Sequence, residues 1–275
     1  MLRVLSFGDR IESGDYQVHS RFSEAVNFIQ GGRLVSAVGS RIGGGPINIV
    51  VAGVDFSRVG RLTVREDGFA LDGRTCPKTP LFDSAFPGAG TDREPVKRNL
   101  RFWRGLLRRK AHPKSLVFLL DQERGRDSAS GFEQALARRF QDAAKDLRRG
   151  NLEAGARAAS GAGFGLTPSG DDFLSGYLWG LHFRKRLCGG DFYADIERIC
   201  GCASGANPLS SAFLRCAREG RLFERLRDLL AALCRGAPVD VEGRTDEVLA
   251  VGETSGADMC AGLLLAMEKE GSLWS

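Results

Sequence analysis

One stretch constrains this chain more than any other. Gly161 to Gly176 reads GAGFGLTPSGDDFLSG, a glycine-rich polar loop with two adjacent carboxylates. It opens onto an almost purely apolar run that includes Phe173, Leu174, Tyr177, Leu178, Trp179, Leu181 and Phe183. A helix that is apolar all round must be buried. The polar loop is therefore expected to be carried into the body of the protein at a buried helix's N-terminus. Such a terminus has four backbone N–H groups with no intrahelical partner and a partial positive charge. Glycines let a ligand approach the backbone or supply positive φ. Together these features make an anion site. The expected contacts are Gly163, Gly165, Thr167, Ser169 and Gly170. Ser169 is the expected N-cap, with Asp171 and Asp172 in the first turn. The simpler reading, that both acids only complement the helix dipole, leaves Thr167, Gly163 and Gly165 without a reason.

The pattern recurs near the C-terminus. Gly252-Glu253-Thr254-Ser255-Gly256-Ala257-Asp258 leads into a second apolar run. With Ser169-Gly170 set on Ser255-Gly256, Asp172 falls on Asp258, Gly176 on Gly262 and Leu178 on Leu264. Both segments read S-G-x-D-x-x-x-G-x-L. The shared glycine predicts close helix–helix packing, so two buried helices should aim their N-termini at one pocket, with Thr254, Ser255 and Gly256 as further ligand contacts. A third segment, Ser204 to Ser211, holds Asn207 before Pro208. Proline restricts the residue before it, so Ser210 or Ser211 is expected to cap the next helix. Asn207 would then project from the loop, either as an ordinary turn residue or toward a ligand.

The rest of the chain divides into two kinds of sequence. Arg33–Val38, Ile47–Val54, Arg61–Arg65, Phe69–Asp72 and Ser115–Leu120 read as strands, with Glu66-Asp67-Gly68 as a hairpin turn. Val18 to Phe22 precedes a short apolar-periodic stretch through Asn27 and Phe28. Gly43-Gly44-Gly45-Pro46 is either a backbone-rich contact surface or, more simply, a flexible connection. Residues 81–96 and 122–130 read as an exposed loop and a charged turn. Helices are expected at 97–110, 132–147, 151–159, 171–187, 191–202, 210–219, 221–235, 243–250 and 257–269. Strands first and helices after predict an α+β fold, with a β-rich part over 1–125 and a helical part over 126–275.

Other function classes are narrowed by composition. No run of eighteen apolar residues exists, so no membrane span is expected, and the start carries no recognisable signal peptide. The seven cysteines show no zinc spacing and read as free thiols in a reducing cytoplasm. Lys97 to Lys110 carries seven basic residues and no acid, with Leu100, Trp103 and Leu107 on one face. It reads as a solvated face anchored by Trp103 rather than a nucleic-acid surface, because the net charge of +5 is modest. Of three histidines, His182 lies nearly three turns past Asp172 and His112 precedes Pro113 in a basic turn. His19 alone remains as a candidate contact.

The run from Gly163 to Leu174, with Ala206-Asn207-Pro208-Leu209-Ser210, Gly252 to Asp258, and Val18 to Phe22 with Asn27, resembles a bacterial domain family, domain of unknown function 2877. That family includes the AllH-type subunit of oxamate carbamoyltransferase, from anaerobic allantoin breakdown. Its usual residues are His at 253 and Thr at 206; this chain has Glu253 and Ala206. The resemblance implies transfer of a carbamoyl group between oxamate and phosphate, with carbamoyl phosphate as a participant, in a complex with other subunits. Every participant is a small anion. Thr167, Ser169, Asn207, Ser210, Thr254, Ser255 and His19 would bind it, and the N–H groups of Gly170 or Gly256 would stabilise an oxyanion. Asp171, Asp172, Asp258 and Glu253 are the expected catalytic set. Asp172 and Asp258 have three roles open to them: holding a bridging Mg²⁺, orienting a substrate amide, or capping helices. The readings held beside this one are a small-anion binding module without turnover and, third, nucleic-acid binding through 97–110.

Overall fold

The computed structural model describes residues 2–88, 93–120 and 131–268. The expected turn at 122–130 and part of the expected loop at 81–96 lie outside the described residues. The chain is α+β and forms two compact units. One comprises residues 1–85 with 221–227, the other 86–220 with 228–275.

The first unit is built on a mixed sheet. Its strands are β1 (Arg3–Gly8), β2 (Gly14–Phe22), β3 (Ala25–Gln30), β4 (Arg33–Val38), β5 (Asn48–Ala52), β6 (Arg61–Val64), β7 (Phe69–Leu71), β8 (Arg74–Cys76) and β9 (Leu81–Phe82). They lie in the order β8-β7-β6-β2-β3-β4-β5-β1-β9. The pairs β4·β5 and β1·β9 are parallel; every other pair is antiparallel. Alternation along the strands buries Phe7, Tyr16, Val26, Phe28, Ile49, Leu62 and Phe69 in one apolar cluster.

The sequence resembling a family motif at 18–27 is the β2–β3 hairpin. Its register shifts between Val18 and Ser20, so His19 sits at a bulge, exposed. Asn27 donates to the Ser20 hydroxyl and accepts from Ser36, tying three strands together. The Gly43–Pro46 connection is not a flexible tether. Gly43, Gly44 and Gly45 are buried, and side chains on Gly44 and Gly45 would collide with the Phe82 and Phe223 rings.

The second unit is helical: α1 (Arg93–Lys110), α2 (Gly131–Arg149), α3 (Leu152–Ala159), α4 (Ser169–Cys188), α5 (Tyr193–Cys200), α6 (Pro208–Arg218), α7 (Glu224–Arg235), α8 (Pro238–Leu249) and α9 (Ser255–Met267). The unit division falls within α7. The strand expected at 115–120 is instead a 3-10 turn, Leu116–Leu120. Its apolar run is buried, and periodicity alone cannot tell a buried strand from a buried helical turn. α1 buries Leu100, Trp103 and Leu107 as expected, while Lys110 pairs with Glu242 and Asp246 and Arg104 with Glu268. No helix is long and apolar enough to cross a membrane among the described residues.

At the centre lie α4 and α9. Twelve of the thirteen α9 residues are buried, and so are both faces of α4. A side chain on Gly176 would strike the backbone of Met259, and one on Gly262 the backbone of Phe173. Gly180, one turn on, meets Leu263 and Ala266. Contacts that advance together along both helices mean that they run side by side in the same direction.

Candidate functional site

The loop from α3 into α4 is built on positive φ at Gly161, Gly163 and Gly165. At Gly163 a side chain would also press on Ser169. The helix begins one residue earlier than a Ser169 cap requires: Ser169 is its first residue, and Pro168 flanks it without a side-chain cap. The expected cap at Ser169 is therefore corrected. Gly170 packs against the end of α3, and its N–H donates to the Ala162 carbonyl at 2.8 Å.

The loop from α8 into α9 repeats this construction. Gly252 has positive φ beside Ser255, Gly256 packs against the end of α8, and the Gly256 N–H donates to the Val251 carbonyl at 3.0 Å. Thr254 flanks the helix without capping it through its side chain. Hence neither Gly170 nor Gly256 has an N–H to offer a ligand, contrary to expectation. The first helical N–H groups, of Ser169 and Ser255, have no backbone acceptor among the described residues.

The two helix ends meet through side chains. The Thr167 hydroxyl donates to Asp172 Oδ2 at 2.9 Å and lies 3.1 Å from the Ser255 hydroxyl. Ser255, like Thr167, favours the ionised form of Asp172. Asp172 itself is 2% exposed. Burial is the main force on its proton and pushes it up to about 7; the hydroxyl bonds oppose this, and Asp258 and Asp171 add to it.

The other two acids serve the backbone. Asp171 accepts the Gly161 N–H at 2.8 Å and the Ala206 N–H at 2.9 Å, joining two loops. Asp258 accepts the Leu116 N–H at 2.6 Å. These donor sets do not suit Mg²⁺. Asp172 Oδ2 and Asp258 Oδ1 each face a hydrogen-bond donor, where a cation needs further oxygen ligands. No group of three His, Cys, Asp or Glu side chains able to hold a metal occurs among the described residues.

The remaining expected contacts separate. Asn207 does not project from its loop; it caps α6, accepting from Leu209 and Ser210 N–H groups, with Pro208 in the first turn. Proline suits that position because its missing N–H would have had no partner there. The Asn207 side chain also donates to the Leu166 carbonyl at 2.6 Å, bracing the α4 loop. Ser210 is buried inside α6 rather than capping it. His19 belongs to the first unit.

A cavity of about 730 Å³ opens at the two helix ends. Gly163, Gly165, Thr167, Ser169, Glu253, Thr254 and Ser255 line it; Gly170, Gly256 and the three aspartates do not. Sequence reasoning missed most of the remaining wall. Phe140, Phe213 and Met259 make it largely apolar, and Lys114 and Glu133 add charge. Exposed Phe164 and Leu166, flanked by glycines in the motif itself, carried a readable hint of an apolar rim. Lys114 carried none.

Comparison with curated proteins and with solved structures found no match to the chain. Residues 160–267, from the end of α3 through both loop–helix junctions to the last residue of α9, match the family model of the oxamate carbamoyltransferase subunit AllH.

Proposed function

We propose that this chain is a subunit of an oxamate carbamoyltransferase-like enzyme and that oxamate or carbamoyl phosphate binds in the cavity at the ends of α4 and α9. The observation that carries the reading is the coincidence of the matched segment with the cavity: residues 160–267 contain both loop–helix junctions. The chemistry is consistent with it. Transfer of a carbamoyl group builds negative charge on the carbamoyl oxygen, which preorganised donors stabilise. The N–H groups of Ser169 and Ser255 and the hydroxyls of Ser169 and Thr254 are such donors, gathered at two positive helix ends with the Thr167 and Ser255 hydroxyls beside them. Lys114 is the cation among the lining residues. Partner subunits complete the enzyme in this reading, as the name of the matched family implies.

A second reading, an anion-binding module without turnover of its own, is favoured by one feature. Apart from Lys114, Glu133 and Glu253, the cavity's polar groups are hydroxyls and backbone, and no histidine lines it among the described residues. Calorimetric titration of oxamate and of carbamoyl phosphate tests both. Binding that weakens at least about tenfold in Ser255→Ala supports the site, that factor being the loss of one or two hydrogen bonds to a charged ligand. Absence of binding to the folded wild type removes a self-contained small-anion site. Carbamoyl phosphate turnover by the chain, alone or with co-purified partners, separates the enzyme subunit from the binding module.

A further inference from the structure

We propose that an anion binding at the paired ends of α4 and α9 is taken up together with one proton, held by the cluster of Thr167, Asp172 and Ser255, with Asp172 as a positioning residue for the two hydroxyls. This rests on the reading of the cavity as an anion site.

The argument is a count of hydrogens. Thr167 and Ser255 line the cavity, and Asp172 lies behind them, buried. Two hydrogen bonds join the cluster, Thr167 to Asp172 and Thr167 to Ser255, and Ser255 also acts on the Asp172 carboxylate. Each hydroxyl has one hydrogen, and an ionised carboxylate has none. With Asp172 ionised, both hydroxyl hydrogens are drawn inward, either to the carboxylate directly or one through the other. Thr167 and Ser255 then turn only oxygen lone pairs to the cavity, which repel an anion. Turning a hydroxyl outward would strip the buried carboxylate of a charge-assisted bond.

One added proton changes the sense of the chain. Protonated Asp172 donates to one hydroxyl, that hydroxyl donates to the other, and the last hydrogen turns toward the ligand. The same proton removes a buried negative charge that would repel the anion through a medium of low dielectric. The charged neighbours favour it too. Asp258 on α9 and Asp171 on α4 both act on Asp172 with like charge. Around the cavity stand Glu133 of α2, Glu253 ahead of α9, and Lys114. Burial and these neighbours leave Asp172 close to half-protonated near neutrality, so the extra proton is within reach.

Oxamate is the probe, because its carboxylate stays ionised throughout the neutral range and takes up no proton itself. Calorimetry in buffers of different ionisation enthalpy counts the protons bound with it. At about pH 8 the expected uptake approaches one proton per oxamate, and it falls toward zero near pH 6, where Asp172 already holds one. Above about pH 7.5 the affinity should fall close to tenfold per pH unit. Asp172→Asn, whose amide donates in place of the acid proton, should bind with no uptake and no pH dependence. Binding at pH 8 without proton uptake overturns the proposal and leaves the anion site standing. So does uptake that survives in Asp172→Asn but disappears in His112→Gln, the exposed histidine 3.8 Å from Glu253. Failure of the wild type to bind oxamate at any pH overturns the anion site, and this inference with it.

Discussion

Gly176 and Gly262 hold each other's helix: each lacks the side chain that would collide with the backbone three residues before the other, at Met259 and at Phe173. The relation is reciprocal because the two segments share one spacing, so position 173 stands to 176 as 259 stands to 262. It fixes the two helices side by side and therefore brings their N-termini, with Thr167 and Ser255, to one place.

Gly176→Ala and Gly262→Ala should each cost roughly 3 kcal/mol or more, because the added methyl meets backbone rather than a yielding side chain. Either substitution should also weaken oxamate binding, since it separates the hydroxyls at the helix ends. Denaturant unfolding and titration of the same samples check this. A variant of wild-type stability would mean that the helices do not pack this closely.

Asp171 is expected to act on loop structure. Asp171→Ala leaves the Gly161 and Ala206 N–H groups without their acceptor. Both N–H groups are only part-buried on exposed residues, so the low end of about 1–3 kcal/mol applies to each and the loss should be about 2 kcal/mol. Urea unfolding measures it, and limited proteolysis should show faster cleavage within the 161–167 loop. Unchanged stability with lost ligand binding would return Asp171 to a ligand-facing role.

Much of this was legible in the sequence because it depends on local pattern. The S-G-x-D-x-x-x-G-x-L repeat gave the paired helices, and apolar periodicity gave nearly every helix. The roles of the polar groups were not legible. Whether the N–H of Gly170 meets a ligand or the Ala162 carbonyl depends on where α3 ends, a tertiary fact. The repeat did carry one unused clue: Asp171 is matched by Ala257, whereas Asp172 is matched by Asp258. An acid present at only one of two similar junctions answers to what is local there, the loop at Ala206. The strand expected at 115–120 failed for a related reason, since a continuous apolar run states burial and not conformation. β2 was missed because its inward positions turn polar at Ser20 after Tyr16 and Val18, and β3 because its burial is continuous rather than alternating.

Asp172 should make stability depend on pH in a definite direction. Its folded pKa, about 7, lies above its ordinary value of 3.8. The folded state therefore holds a proton that the unfolded state has lost between those values. Stability from this group is complete below about pH 4, declines as pH rises, and levels off above about pH 7.5; the whole change is at most about 4 kcal/mol. Asp172→Asn should remove that decline, so the stability difference between variant and wild type should widen in the variant's favour from about pH 5 to pH 8. Thermal unfolding across this range, with the wild-type curve subtracted, isolates the effect from other groups. A difference that does not change with pH would show that Asp172 is ionised at an ordinary pKa.

Glu253 stands on the cavity wall, where the family resembled by the motifs usually has histidine. Its carboxylate is 75% exposed, so its field on a bound anion is largely screened by water. Even so, the sign is unfavourable. Glu253→Gln should tighten oxamate binding about two- to fivefold at low ionic strength, a gain on the order of 0.5–1 kcal/mol, which should shrink as salt is raised. Lys114→Ala, at the opposite sign, should weaken it by a similar factor with the same salt dependence. If Glu253→Gln instead abolishes binding while the fold is intact, the carboxylate is making a direct contact, most simply with a substrate amide N–H₂. The ligand would then lie with its amide end toward Glu253 and its anionic end toward Thr167 and Ser255. The two outcomes differ in direction, so one titration series separates a screened wall charge from an orienting residue.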